Sequence, residues 1–449
     1  MVCHAPAAPS AEPPFAASRK GIRSAALALA LLAFAACSRT DQPKRASTEA
    51  FNALKRACYF TSLPSALHDA PIVSELPLPA VPDGHAIWGS SGRDTQGHLW
   101  FGLCTLVSVS DPSARLIEYN PESHQMTVQG DVLTELKRSN LYRAGEGQDK
   151  IHTKIFQAAD GHLYFASAST HGMELKSGSG TSTWGGHLWR LRMPERKWEH
   201  LLAMEEVPIA LAGTGRRVYT LCYPGHKLYQ YDCQSGEVRS VEVGAVAGHI
   251  SRNLVSDSWD HVYVPRLLRE PGSEQLRATL VEYDASLKQI GETPLQHYVD
   301  RSPDNSHGLT AFQPMADASI LIVTSLGFMY RIYPSAQGPA KVVEAGWLHP
   351  GGPRYVASLF TYDGRDYVMG LATADKDKEY DREYEWVVRR LGTGGATVAP
   401  FRVEGPRARS LGGALLYGTV TRDNLGNFYV VGTDYAKGAP LVLQVLCPP

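Results

Sequence analysis

Short runs of alternating, β-branched and aromatic residues, separated by Gly, Asp, Asn and Pro, fill most of the chain after its first seventy residues, with no long 3.6-residue periodicity. The pattern predicts an all-β protein. Within it one unit recurs: a strand, a tight acidic or glycine turn, and an aromatic-rich second strand. The copies are DTQGHLWFG from Asp94, AADGHLYFA from Ala158, GTGRRVYTL from Gly213, DSWDHVYVP from Asp257, ADASILIVT from Ala316, YDGRDYVMG from Tyr362 and DNLGNFYVV from Asp423. A third strand usually follows, as in LIEYN from Leu116, KLYQYD from Lys227 or TLVEYD from Thr279, and then a fourth, as in SVEVG from Ser240.

Four strands per unit, recurring every 45 to 65 residues or about that, are what a propeller blade needs, because each twisted sheet buries its faces only against its two neighbours. Seven such sheets close a ring. The seventh unit stops at its third strand, LVLQVLCPP from Leu441, while an extra strand, PIVSELPLPA from Pro71, precedes the first. Residues 71–80 are therefore expected to supply the outer strand of the last blade and remove the open seam. The chain resembles the seven-bladed β-propeller superfamily over 71–449, of four-stranded antiparallel blades. The expected organisation is a signal peptide over 1–36, a tether over 37–70 with one short helix at FNALKRAC, and the propeller over 71–449.

Charge narrows the partners. With 44 basic and 45 acidic residues, no bulk field draws the chain to nucleic acid, and a monomer is expected. Near the start, Arg19, Lys20 and Arg23 precede an apolar run from Ala25 to Ala36 that is too short to span a bilayer comfortably. The run ends in FAAC and resembles a bacterial lipoprotein signal, with Cys37 as the lipid-modified residue and Ala35 and Ala36 as its small neighbours. Phe34 departs from that pattern, which prefers an aliphatic residue there. The resemblance implies a lipid-anchored protein of the cell envelope, periplasmic or at the outer membrane. Cys58, Cys104, Cys222, Cys233 and Cys447 show no CxxC spacing, which argues against a cysteine zinc site and leaves their pairing open.

With the strands of a blade labelled A to D outward, the A–B turns carry the Asp-Gly signal, so the starts of the A strands share the opposite face with the D–A and B–C connections. Aligning the seven starts gives GHAIW with His85, IHTKI with His152, VPIAL at Pro208, GHISR with His249, SHGLT with His307, RYVAS with Tyr355 and LYGTV with Tyr417. Four histidines and two tyrosines thus converge on the mouth of the central channel. Neutral imidazoles there ligate a divalent metal ion or act as bases near pH 7. The expected metal ligands are His85, His152, His249 and His307, and the nearby cations are Arg252, Arg354 and Lys154. His349, in GWLHPGG, is expected on the same face, as is the long connection from Ser169 to Gly186, whose Trp184, His171 and Glu174 suit a sugar. His162 falls at the opposite, turn face, and KDKEYDREYE from Lys376 is expected to be a solvated charged loop.

A histidine-lined mouth on an exported propeller resembles the propeller-fold polysaccharide lyases that act on oligogalacturonate or ulvan. That resemblance implies β-elimination of a uronate-containing glycan, with His and Tyr moving protons and Arg, His or a metal neutralising the carboxylate. It assigns His152, His249 and His307 as base or metal ligands, Tyr355 or Tyr417 as proton donor, and Arg252 or Arg354 as carboxylate partner. Two alternatives stand beside it. One is a non-catalytic propeller binding a small anionic ligand or a protein. The other is a metal-dependent lactonase-like hydrolase, disfavoured because no Asp or Glu occupies the aligned positions. No WD repeat, CxxCH, Walker A or GxSxG motif points elsewhere.

Overall fold

The strands form because alternating residues each find a neighbouring blade to bury against. The computed structural model describes residues 70–173, 181–213, 215–246, 249–298, 307–361, 364–374, 383–403, 411, 413–417 and 421–446. The signal, Cys37, the tether and its helix, Cys58, Glu174 and Cys447 lie outside these residues.

Seven antiparallel sheets follow one another along the chain. After β1 (Val73–Glu75), blade one sets β2 (Gly84–Ala86) and β3 (Ser91–Arg93) on β4 (Leu99–Thr105), then β5 (Arg115–Asn120) and β6 (Gln125–Asp131). Blade two sets β7 (Lys150–Ile151) and β8 (Phe156–Gln157) on β9 (Leu163–Ala168), then β10 (Gly186–Arg192) and β11 (Lys197–Met204). Blade three is β12 (Val207–Ala212), β13 (Arg217–Tyr223), β14 (Lys227–Asp232) and β15 (Val238–Glu242), and blade four is β16 (Val255–Ser256), β17 (Val262–Arg269), β18 (Leu276–Tyr283) and β19 (Gln289–Pro294). Blade five is β20 (Leu309–Pro314), β21 (Ile320–Thr324), β22 (Phe328–Tyr333) and β23 (Lys341–Trp347). Blade six is β24 (Val356–Thr361), β25 (Tyr367–Thr373), β26 (Tyr384–Arg390) and β27 (Ala396–Phe401). Blade seven takes β28 (Ala414–Tyr417), β29 (Phe428–Asp434) and β30 (Ala439–Val445), and β1 completes it, with Val73 opposite Val445. The expected closing strand is present, shortened to three residues, and Val73 is fully buried in the core between blades six and seven.

An aspartate builds the A–B turn in blades one, four and seven. Asp94 Oδ1 accepts from the backbone N–H groups of Gln96 and His98, and Oδ2 accepts from Trp100 Nε1 at 3.1 Å. Asp257 repeats this with Trp259, His261 and the Tyr263 hydroxyl, and Asp423 with Leu425, Asn427 and the Tyr429 hydroxyl. One carboxylate therefore closes the turn and anchors the aromatic of the next strand, which is why the motif was so visible in sequence.

One helix went unread: α1 (Val132–Arg138), in the connection between blades one and two. Asp131 caps it by accepting from the Thr134 backbone N–H, and Val132, Leu133 and Leu136 bury into the core beside Trp100 and Trp198. Those two blades also meet at Gly92, where a Cβ would lie 1.8 Å from the Ile155 carbonyl oxygen. Backbone cannot yield as a side chain does, so Gly92→Ala is expected to cost about 3 kcal/mol, read as a lowered urea midpoint at unchanged slope. A variant as stable as the wild type would show that the blades slide apart freely.

Candidate functional site

The inner strands bring three rings together at one register. Counting six residues back from the first residue of the A–B turn reaches Trp88 from Asp94, His152 from Ala158 and Tyr417 from Asp423. The Trp88 ring lies edge-on to His152 at 6.4 Å and to Tyr417 at 5.1 Å between centroids, and it also meets His85 at 5.8 Å and Tyr435 at 6.2 Å. Trp88, which the sequence alignment missed, thus occupies the position assigned to His85. Tyr435 is 48% exposed, so solvent reaches this side of the cluster.

Arg252, from blade four, crosses to the same place. Its Nε donates to His307 Nδ1 at 2.8 Å, its Nη1 donates to the Trp88 carbonyl at 3.4 Å, and its guanidinium lies 4.3 Å above the Tyr417 ring. His307 in turn packs edge-on against Tyr355 at 5.8 Å, and the Tyr355 hydroxyl donates to the Leu416 carbonyl. Blade two adds Lys150, at the start of β7, and His152 and Lys154, in the residues that follow that strand. Lys154 Nζ donates to the Gly89 carbonyl at 2.8 Å. The adjacent acid is Asp149, buried, whose carboxylate already accepts from the Thr170 backbone N–H at 2.8 Å and hydroxyl at 2.7 Å.

Burial among like charges sets the protonation. His152 is held well below the ordinary imidazole range, first by burial and then by Lys150, Arg252, His85 and His307. Burial and Arg252 bring Lys154 down to about 7, and burial also lowers Lys150 and His85. Burial raises the Tyr417 and Tyr223 phenols, so both stay protonated at neutral pH. His152 is only 8% exposed, yet neither ring nitrogen has a hydrogen-bond partner. Trp88 Nε1 and His85 Nδ1 are likewise buried and unpartnered. Buried polar groups are nearly always hydrogen-bonded, and leaving one unmet costs about 1–3 kcal/mol. Several such atoms lie together in this cationic, aromatic cluster.

The remaining expected residues lie elsewhere. His249 is diverted into a buried pair with His226, ring centroids 4.7 Å apart, and its Nε2 bonds the Tyr298 hydroxyl at 3.2 Å. It lies two positions before Ser251, which holds the register of His152 when counted back from Asp257, so the blade-four alignment was displaced. His349 has both nitrogens committed, Nδ1 accepting from the Gly351 N–H at 2.9 Å and Nε2 bonding Glu385 at 3.0 Å. Arg354 Nη1 donates to the Pro353 carbonyl. Trp184 stacks under the Arg143 guanidinium at 5.1 Å, beside a buried chain of Glu146, His187 and His200, and the exposed His171 bonds Thr183. His162 sits at an A–B turn, as expected, and accepts from the Met193 N–H.

The four histidines do not fit a shared metal ion. Among the described residues, the one group of three donors close enough for a cation is Asp94, His98 and Glu118, on the turn face. There Arg196 already grips Glu118 with Nε at 2.7 Å and Nη2 at 2.6 Å, and the same His–Glu pair recurs structurally at His261 and Glu282. Both are parts of the turn device described above.

No family profile matches the chain, and no curated protein matches it. Among solved structures it is similar to the extracellular domain of a hybrid two component system of B. thetaiotaomicron, at 14% identity and TM-score 0.47, covering 82% of this chain and 39% of that one. This chain therefore spans less than half of that protein's length. It is also similar to the Swd1 β-propeller domain of Myceliophteria thermophila, at 12% identity and TM-score 0.47, covering 83% and 100% of the two chains. A third is YCF48 bound to a D1 peptide, at 10% identity and TM-score 0.44, covering 86% and 100%. Likeness at this level concerns architecture and assigns no activity. By its seven sheets and the strand that closes them, the chain is a seven-bladed β-propeller.

Proposed function

We propose that this propeller binds a small carboxylated ligand, a uronate-bearing glycan foremost, at the channel mouth formed by Trp88, His152, Arg252, Tyr417 and Tyr435. The observation that carries the proposal is His152, buried without a partner between an indole and a guanidinium. Among the described residues, Arg252 and Lys150, with a partly protonated Lys154, outnumber the adjacent carboxylate of Asp149, so an anion entering here meets net positive charge in a partly desolvated setting. Trp88 and Tyr435 offer the flat apolar faces on which a sugar ring rests. The lipoprotein-like start of the sequence supports a lipid-anchored envelope protein that acts on such ligands.

A second reading is β-elimination, favoured by Lys154, whose amine is brought near neutral pKa beside Arg252. In it a neutral Lys154 or His152 takes the proton α to the carboxylate, Arg252 holds the carboxylate, and a protonated phenol such as Tyr417 or Tyr355 returns a proton to the leaving oxygen. The carbon–oxygen bond breaks as the ring double bond forms.

One experiment tests both. Oligogalacturonates and ulvan oligosaccharides are titrated calorimetrically while the ultraviolet absorbance of an unsaturated product is followed. Heat of binding without new absorbance supports a binder, and both signals support a lyase. Neither signal with any carboxylated glycan overturns the proposal.

A further inference from the structure

We infer that His152 is a specificity-determining residue which selects ligands carrying a hydroxyl donor beside their carboxylate, and rejects simple carboxylates. This rests on the ligand site proposed above and adds to it what the ligand must present.

The inference follows from donor and acceptor bookkeeping. A neutral imidazole has one N–H donor and one lone-pair acceptor. His152 is held neutral first by its burial and then by Lys150 on its own segment and Arg252 from blade four, with His85 and His307 of blades one and five acting in the same direction; the carboxylate nearby is Asp149. Both nitrogens are buried and unmet by protein. A carboxylate offers only acceptors, so it satisfies the N–H and leaves the lone pair facing an oxygen. A ligand with an adjacent hydroxyl satisfies both. Trp88 Nε1 sharpens the demand, since it is a further unmet donor that competes for the carboxylate oxygens. The scarce partner at this mouth is a donor for the His152 lone pair. Sites that hydrogen-bond a substrate hydroxyl reject analogues lacking it strongly, because a buried polar atom is then left unpaired.

The test compares methyl galacturonoside, a ring carboxylate rich in hydroxyls, with cyclohexanecarboxylate, which has the ring and the charge alone. Affinities are measured by calorimetry on the full-length protein in two buffers of different ionisation enthalpy. The wild type is expected to favour the galacturonoside by at least about a hundredfold, and any proton uptake is expected to be the same in His152→Gln, because Lys154 and not His152 takes it up. His152→Leu is expected to bring the two affinities within a few-fold of each other. His152→Gln, which supplies a carbonyl acceptor together with N–H donors, is expected to restore part of the preference.

Equal binding of the two probes to the wild type overturns the inference while leaving the carboxylate site in place. Proton uptake present in the wild type and absent in His152→Gln also overturns it, because an imidazolium has two donors and no lone pair to satisfy. Failure of both probes to bind overturns the inference together with the site it rests on. If His152→Leu does not fold, the wild-type affinity ratio decides alone.

Discussion

Replacing Arg252 with Gln is expected to weaken galacturonoside binding by roughly a hundredfold while the protein stays folded. The size follows from what Arg252 does at the mouth: it is a charged fork held in place by three contacts, to His307, to the Trp88 carbonyl and to the Tyr417 face. Such a preorganised cation loses little side-chain freedom when a carboxylate arrives, so most of its charge-assisted bonding appears as affinity. Arg252→Lys is expected to fall between the two, since a lysine keeps the charge and loses the fork. Thermal unfolding checks that the variants fold, and calorimetry reads the affinity. A Gln variant that binds as tightly as the wild type would remove Arg252 from the site.

Acidification is the second large effect. Burial lowers His226 to about 4 in the folded protein, although its Nδ1 donates to the Pro265 carbonyl at 3.2 Å. The unfolded chain therefore binds more protons than the folded one between the ordinary imidazole value and about 4. Stability rises with pH through that window and is lost as pH falls through it, by about 3 kcal/mol from His226 alone. His249, its ring neighbour, and His152 are pushed in the same direction by burial. Carboxylates come later: partners bring Glu146 down to about 2 despite its burial, so its stabilisation goes only below the normal glutamate range. Urea midpoints measured from pH 7 to pH 4 should fall steadily, and less steeply in His226→Asn. A flat profile over that range would mean the imidazoles are already solvated in the folded state.

The ring and its seam were legible in sequence for a physical reason. Each A–B turn is built by residues adjacent in the chain, as with Asp94 and Trp100, so its signature survives without any knowledge of packing. The mouth was only partly legible. The inner strand of blade one is broken between β2 and β3, and that of blade four is reduced to the two residues of β16, so spacing alone could not place the channel-facing residue. His85 was taken for Trp88 on that account, and His249 proved to serve the joint of blades three to five. Where the register was regular, as at His152 and Tyr417, the reading landed on the cluster. Lys150 was visible in the alternation of KIHTK and was passed over.

The pairing of Val73 with Val445 has a consequence for biogenesis. These partners sit near opposite ends of the polypeptide, and contacts so distant along the chain form slowly because the intervening loop must first be closed. Blade seven also supplies Tyr417 and Tyr435 to the mouth, so a nascent chain still short of β29 and β30 has neither a fastened circle nor a finished recognition surface. Competence to bind and completion of the circle are thus one event, and a ligand that prefers the finished mouth acts as a rivet on the latch.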